Sequence, residues 1–273
     1  MRVCGETKAK IEQRRFSTLF FLLSTSLLLL FLVSHQAKAQ ESQNVIQNSS
    51  SQTVTLAAED SWPPFANQFG QGISHRLIEA AFKQAHIEVN SLVVPYSRAL
   101  MMAEKGAVDG VFNVTREAST EQRFVFGDMP LFVATASFYQ RKQRSLLAEN
   151  KWQIPKGSNV GVIKSYEYGD EFPELVKQRQ LNIVTVATQQ QLINLLLIGR
   201  IDAAVMFDLV AQENLQKMGV SDEVIAAFDN HSSQIYLAFS KENPKAALLA
   251  KALDQGLSML KENGQYQQLL SAN

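Results

Sequence analysis

The residues best suited to grip a small charged molecule fall between Asp109 and Pro130, in DGVFNVTREASTEQRFVFGDMP. Arg116 and Arg123 stand in its polar middle, and an arginine presents a planar fork of donors that matches a carboxylate. Asn113 and Thr115 precede them, at the end of an apolar run. Upstream, Trp62-Pro63-Pro64-Phe65 holds two aromatic rings around two prolines. Prolines cannot continue a sheet, so the rings belong on a strand-end loop. Downstream, Asp208 closes the apolar run Ala203–Phe207, where a carboxylate is costly unless paired. Each residue also has a plainer role. Aromatics commonly plug cores, arginines commonly sit in solvent on helices, and Asp208 can cap the helix that follows it. Packing is likewise the simplest role for Tyr96 and Tyr166.

Catalytic and metal chemistry lack comparable signals. The four histidines, at positions 35, 75, 86 and 231, have no metal-ligand spacing. No G-x-S-x-G elbow, phosphate-cradling glycine loop or HExxH occurs. Neither a cofactor nor a metal is expected. The only cysteine is Cys4, so the chain beyond the leader has no disulfide, thiol nucleophile or thiolate metal site.

The leader indicates the compartment. Lys8, Lys10, Arg14 and Arg15 precede an uncharged apolar run from Phe16 to Val33, and Ala37-Lys38-Ala39 follows it. That order reads as a secretory signal peptide over residues 1–39, cleaved before Gln40. The apolar run is also long enough to span a bilayer, which makes an uncleaved anchor the alternative. Residues 1–39 hold six Lys/Arg and two Asp/Glu, and taking these from 26 and 26 leaves 20 basic against 24 acidic. That balance gives no sign of a nucleic-acid or anionic-membrane partner. Without disulfides the exported part must be held by core burial, and its length suffices for one large or two small domains.

The elements needed to position these residues can be read in order. Residues 40–52 are a Ser/Gln/Asn-rich lead-in that does not pack. Val54–Ala58 predicts a strand, Ser74 begins a helix, and Val89–Val94 is a second strand. Ser97 could cap a helix over Ala99–Lys105, with strands at Val108–Val114 and Leu131–Tyr139 beyond it. This half reads as a layered α/β unit on a largely parallel sheet. Arg141–Lys151 is a charged connector. The pattern then restarts with strands at Asn159–Ile163, Ile183–Val186 and Ala203–Phe207. Helices at Glu171–Arg179, Gln189–Leu197 and Leu209–Met218 alternate with them. Ser233–Ser240 predicts a returning strand and Lys245–Glu262 a closing helix. Open α/β sheets bind at the carboxyl ends of their strands, and clefts between two such units suit small ligands.

Taken in order, these motifs resemble a known family. A strand, WPPF, glycine and helix lead into Y-x-R-A-L-x(6)-G-x-x-D, and then T-x-x-R stands ahead of F-x-x-x-P. VGV, GRIDAAVMFD and a closing KENGQYQQLL follow. The whole is similar to bacterial periplasmic solute-binding proteins of the amino-acid-binding family, the extracellular solute-binding family 3. The resemblance implies a two-lobed type II fold with hinge crossovers near Ser137–Gln140 and Gln234–Ala238. Lobe one would then take residues 53–138 and 236–273, and lobe two 139–235. It implies a ligand site with stacking aromatics at Trp62 and Tyr96, and polar groups at Asn113 and Thr115. The carboxylate arginine would be Arg123, with Arg116 close in register, and Asp208 would meet the ligand amino group. The family's Gly-Thr/Ser-Thr anion loop is replaced by Ser165-Tyr166-Glu167-Tyr168. Ser165 and Tyr166 become the candidate contacts there, and Glu167, if it points into the cleft, suits a ligand carrying positive charge. The implied role is a monomeric, non-enzymatic periplasmic protein capturing an amino acid or relative for the membrane permease of an ABC-type transporter. Two alternatives share the scaffold. One is a cyclohexadienyl dehydratase-like enzyme using Glu167 or Glu59 as acid, and the other is a ligand-sensing subunit of a membrane receptor.

Overall fold

A computed structural model describes residues 52–271. The leader, its cleavage pattern, Cys4, His35 and nearly all of the lead-in lie outside the described residues. The first half holds β1 (Gln52–Glu59), the short β2 (Ser61–Trp62) and β3 (Ala66–Asn67), α1 (Ile73–Gln84), β4 (Ile87–Val94) and α2 (Tyr96–Glu104). It continues with β5 (Gly110–Thr115), α3 (Ala118–Glu121), β6 (Phe124–Phe126) and β7 (Phe132–Arg141). Then come β8 (Asn159–Ile163), α4 (Phe172–Arg179), β9 (Asn182–Val186), α5 (Gln189–Leu197), β10 (Ala203–Phe207) and α6 (Asp208–Met218). The chain returns through β11 (Val224–Ser240) and closes with α7 (Ala246–Glu262) and α8 (Gln265–Ser271).

One mixed sheet runs β4-β1-β5-β11-β7-β10-β8-β9, with β6 added to β11. β1 lies parallel to β4 from Gln52↔Ile87 to Glu59↔Val94 and also parallel to β5. β10, β8 and β9 form the corresponding parallel set of the other lobe. β7 and β11 pair antiparallel from Val224↔Arg141 to Ile235↔Phe132. β11 continues onto β5 and β6, while β7 also pairs β10. These two strands are the hinge crossovers: every route between the parallel sets passes along them.

The inner parallel strands β1, β5, β8 and β10 are buried on both sides and lack a polar alternation, whereas the edge strands β4 and β9 keep exposed residues. Val54, Leu56, Ala57 and Ala58 of β1 are all fully buried. The apolar faces of α1 (Leu77, Ile78, Phe82) and α7 (Leu249, Leu253, Leu257, Leu260) join one core. Each such side chain contributes roughly 1.5–3 kcal/mol when fully buried. α7 reaches α1 at Gly256, where a Cβ would stand 2.1 Å from the Ala81 carbonyl oxygen. No larger residue fits at that crossing.

Four features differ from the sequence expectations. Ser97 does not cap α2, because the helix already begins at Tyr96, with Pro95 as its N-cap and no side-chain cap bond. The sheet of the first half is parallel only over β4, β1 and β5; β6 and β7 join β11 antiparallel. The returning strand starts at Val224 rather than Ser233, because the polar Asp229-Asn230-His231-Ser232 stretch stays in the ladder through register shifts. The closing helix ends at Glu262 as expected, but an additional helix, α8, follows after Asn263-Gly264.

No helix among the described residues is long and apolar enough to cross a membrane.

Candidate functional site

The carboxyl ends of the parallel strands from both lobes meet at one point. Glu59 is the last residue of β1, and its strand neighbour Val94 ends β4 two residues before Tyr96. Asn113 and Thr115 end β5, Phe207 ends β10, and Tyr166 and Glu167 follow β8. With Trp62 these residues line a space of only about 10 Å³. That is at the lower limit for a single water molecule. The cleft is closed and filled by its own side chains.

Two hydrogen bonds cross it in opposite senses. The Tyr96 hydroxyl of the first lobe donates to Glu167 Oε2 of the second at 2.8 Å. The Tyr166 hydroxyl of the second donates to Glu59 Oε1 of the first. The two tyrosine rings touch edge to face, with centroids 5.3 Å apart. Both carboxyls are buried, Glu59 at 2% and Glu167 at 8% exposure. Burial pushes the Glu59 carboxyl up to about 8; the Tyr166 bond opposes the rise, and the Asp60 and Glu167 charges add to it. Burial also raises Glu167 to about 8, opposed first by the Tyr96 bond and least by Arg123, with Glu117 adding to the rise. The same burial, beside these acids, drives both tyrosine hydroxyls well above their usual value. Near neutral pH both carboxyls of the closed cleft are therefore largely protonated.

The Trp62 loop is fixed by the helix behind it. The amides of Ile73 and Ser74 donate to the carbonyls of Pro64 and Phe65 at 3.1 and 3.0 Å. These bonds satisfy donors that a helix start leaves open. Gly72 permits the approach, because it has φ 138° and a Cβ would stand 2.1 Å from the Phe65 oxygen. Trp62 is not displayed in solvent; it is 2% exposed, packed on Phe65 at 4.6 Å and edge-on to Phe207 at 5.1 Å. It is both core and cavity wall.

Asn113 owes its orientation to a bulge. β11 pairs Tyr236 with Val114 and Leu237 with Phe112, which leaves Asn113 extra, at φ 68°. Asparagine is among the few side-chain-bearing residues that enter this region readily, and such bulges re-aim a side chain. Its Oδ1 accepts from Ser74 Oγ, while its Nδ2 is buried without a partner, as is Trp62 Nε1.

The arginines lie elsewhere. Arg116 Nε donates to Glu121 Oε1 at 2.6 Å and its Nη1 to the Gly127 carbonyl at 3.2 Å. Its guanidinium lies over the rings of Phe126 and Tyr236. Arg123 Nε donates to Glu104, and its guanidinium lies 5.1 Å from the Phe124 ring centroid. Neither lines this small cavity; Arg116 borders a separate surface cleft of about 300 Å³ with Lys151 and His231. Asp208 is the first residue of α6, accepts from the Tyr139 hydroxyl at 2.9 Å, and faces another surface cleft with Phe65 and Val133. Ser165 is exposed at φ 66°. Of the candidates, Trp62, Tyr96, Asn113, Thr115 and Tyr166 converge; Arg116, Arg123, Ser165 and Asp208 do not. Phe207, Glu59 and Glu167 complete the wall. Glu59 had a signal in the sequence, as a carboxylate at the end of an apolar strand.

Two α/β lobes, two hinge strands and a cleft at the strand ends define the type II periplasmic-binding-protein fold. The sequence matches the bacterial extracellular solute-binding proteins, family 3, over residues 54–272, and the chain belongs to that family. Among solved structures it resembles a histidine kinase sensor domain similar to periplasmic binding proteins (18% identity, TM-score 0.69, 80% of this chain and 93% of that one). An ancestral arginine-binding protein bound to arginine is also similar (21% identity, TM-score 0.68, 80% and 96%). So is an amino acid ABC transporter substrate-binding protein from Streptococcus pneumoniae bound to L-arginine (20% identity, TM-score 0.65, 81% and 94%). No curated protein matches the sequence.

Proposed function

We propose that the chain is a periplasmic solute-capture protein, exported behind a cleaved leader, that delivers a small polar solute, an amino acid or relative, to the permease of an ABC-type transporter. Lobe one takes residues 53–138 and 236–273 in this reading, and lobe two 139–235. The observation that carries it is the convergence of polar and aromatic side chains from both lobes on one buried point between the hinge strands. Opening about β7 and β11 separates Tyr96 from Glu167 and Tyr166 from Glu59. A solute then enters, the lobes close on it, and closure creates the composite surface a permease recognises. The arginine-bound relatives favour a solute of amino-acid size.

Scattering and thermal unfolding, measured across a panel of amino acids, amides and amines, test the proposal. A ligand of this site compacts the opened protein and raises its unfolding temperature in proportion to the logarithm of its concentration. If a well-folded sample responds to no member of the panel, solute capture at this cleft is wrong.

A second reading has its own observation. A carboxyl raised to about 8 and so largely protonated near neutral pH, in an aromatic pocket, is suited to general acid catalysis, so Glu59 or Glu167 would serve an enzyme on this scaffold. Turnover of cyclohexadienyl acids, abolished by Glu167→Gln, would establish that reading in place of transport.

A further inference from the structure

Resting on the solute-capture reading, we infer that this cleft selects a small organic cation without a carboxylate. Its ammonium or guanidinium group sits between Glu59 and Glu167, and a neutral acceptor faces Asn113 Nδ2 and Trp62 Nε1. The argument starts from charge. The eight residues around the cavity include two carboxyls and neither arginine nor lysine. The arginines in that part of the first lobe are committed to Glu104 and Glu121. A ligand carboxylate closed into this space would meet two acids and no lining cation, since Arg123 acts on Glu167 only weakly and is paired with Glu104, and an unpaired buried charge is among the costliest things a protein can hold. A ligand cation meets two carboxylates and the faces and edges of Trp62, Tyr96, Tyr166 and Phe207, which supply cation–π attraction.

Unmet hydrogen bonds make an independent second observation. Asn113 is 5% exposed, borders the cavity, and has its Oδ1 bonded while its Nδ2 has no partner; Trp62 Nε1 is in the same condition. Buried donors are normally satisfied, so two on residues that line one cavity call for an acceptor. Both donate without carrying charge, so they bond an acceptor oxygen but do not neutralise a negative one, which leaves a carbonyl or hydroxyl as the acceptor the lining can hold. The ligand chemistry follows directly: positive at the Glu59–Glu167 side, neutral and oxygen-bearing at the Asn113–Trp62 side.

Binding such a cation has a proton signature. The carboxyls are held neutral chiefly by burial; Asp60 and Glu167 add to the rise at Glu59 and Glu117 to that at Glu167, while Tyr166 opposes it at Glu59 and Tyr96 and Arg123 at Glu167. A cation in contact with them favours the ionised forms, so protons leave as it binds.

Arginine and argininamide differ only in carboxylate against neutral amide, which makes them the probes. Calorimetry of the full chain at pH 7, in buffers of differing ionisation heat, measures affinity and protons released together. Argininamide is expected to bind at least tenfold more tightly than arginine, with net proton release. Glu59→Gln and Glu167→Gln each weaken argininamide at least tenfold and reduce that release. Neither lowers the unfolding temperature of the ligand-free protein at pH 6, because glutamine imitates the neutral carboxyl. Equal or tighter binding of arginine overturns the inference, as does argininamide binding without proton release. If glutamine or another neutral or anionic solute binds and argininamide does not, cation selection falls while solute capture stands. If nothing in the panel binds, both fall.

Discussion

Two regions of the first lobe bring charge towards the cleft, and they treat it in opposite ways. In the Arg116–Arg123 segment the charges are conspicuous, half-exposed and paired with acids of their own lobe, Glu121 and Glu104. At the ends of β1 and β4 the ionisable groups are inconspicuous, buried and paired across the cleft, Glu59 with Tyr166 and Tyr96 with Glu167. Surface pairs of the first kind tie neighbouring segments of one lobe and are worth little. Buried pairs of the second kind tie protonation to the relative position of the lobes. Burial, rather than formal charge, decides which of the two regions responds to a ligand.

Four measurements sharpen or break that contrast. The largest effect is expected for Trp62→Ala, which removes a 2%-exposed indole from the junction of core and cleft. A cost of about 3–5 kcal/mol, and an unfolding midpoint lower by roughly 10 °C, follow from cavity formation in a domain of this size. A midpoint unchanged within error would show that Trp62 is merely a lid.

The second effect is pH-driven opening. Both carboxyls have an ordinary value of 4.5 when free and about 8 in the closed protein. Between those values the closed form binds more protons than an opened or unfolded form does. Its advantage is complete below about 4.5 and is lost as pH rises through about 8. Small-angle scattering should report a larger radius of gyration at pH 9 than at pH 6 without ligand. The Glu59→Gln/Glu167→Gln pair should flatten the transition, and an unmodified protein equally compact at both pH values would contradict it.

Next comes Tyr166→Phe, which deletes one cross-cleft donor and leaves the buried Glu59 without it. Closure should weaken by about 1–3 kcal/mol, read as opening at lower pH or lower denaturant. The smallest effects belong to Arg116→Ala and Arg123→Ala: at most about 1 kcal/mol of stability each, with solute affinity unchanged. A tenfold loss of affinity from either would restore the carboxylate-clamp role and reverse the comparison.

Much of the fold was legible because its periodicities are local. β8, α5 and β10 start and stop where hydrophobic pattern and breakers place them. The first half of β11 was not, because Asp229-Asn230-His231-Ser232 looks like a loop until β7 supplies its partners. The cavity residues were visible to the extent that they follow strand ends, as Trp62, Tyr96 and Tyr166 do. The orientation of Arg116 and Arg123 was hidden, since Glu104 and α3 capture them only after folding. Asn113 turns inward through a bulge whose register is set by β11, more than a hundred residues away. Pairings between distant segments cannot be read from spacing.

The 10 Å³ space between the closed lobes also has a kinetic consequence. On the solute-capture reading, Tyr96 and Tyr166 occupy the volume a solute needs, so they act as tethered competitors for their own site. Apparent affinity is then the intrinsic affinity discounted by the fraction of molecules standing open. The observed association rate should rise with solute concentration and level off at the rate of lobe opening. Whatever opens the tyrosine–carboxylate pairs sets how fast this protein can load.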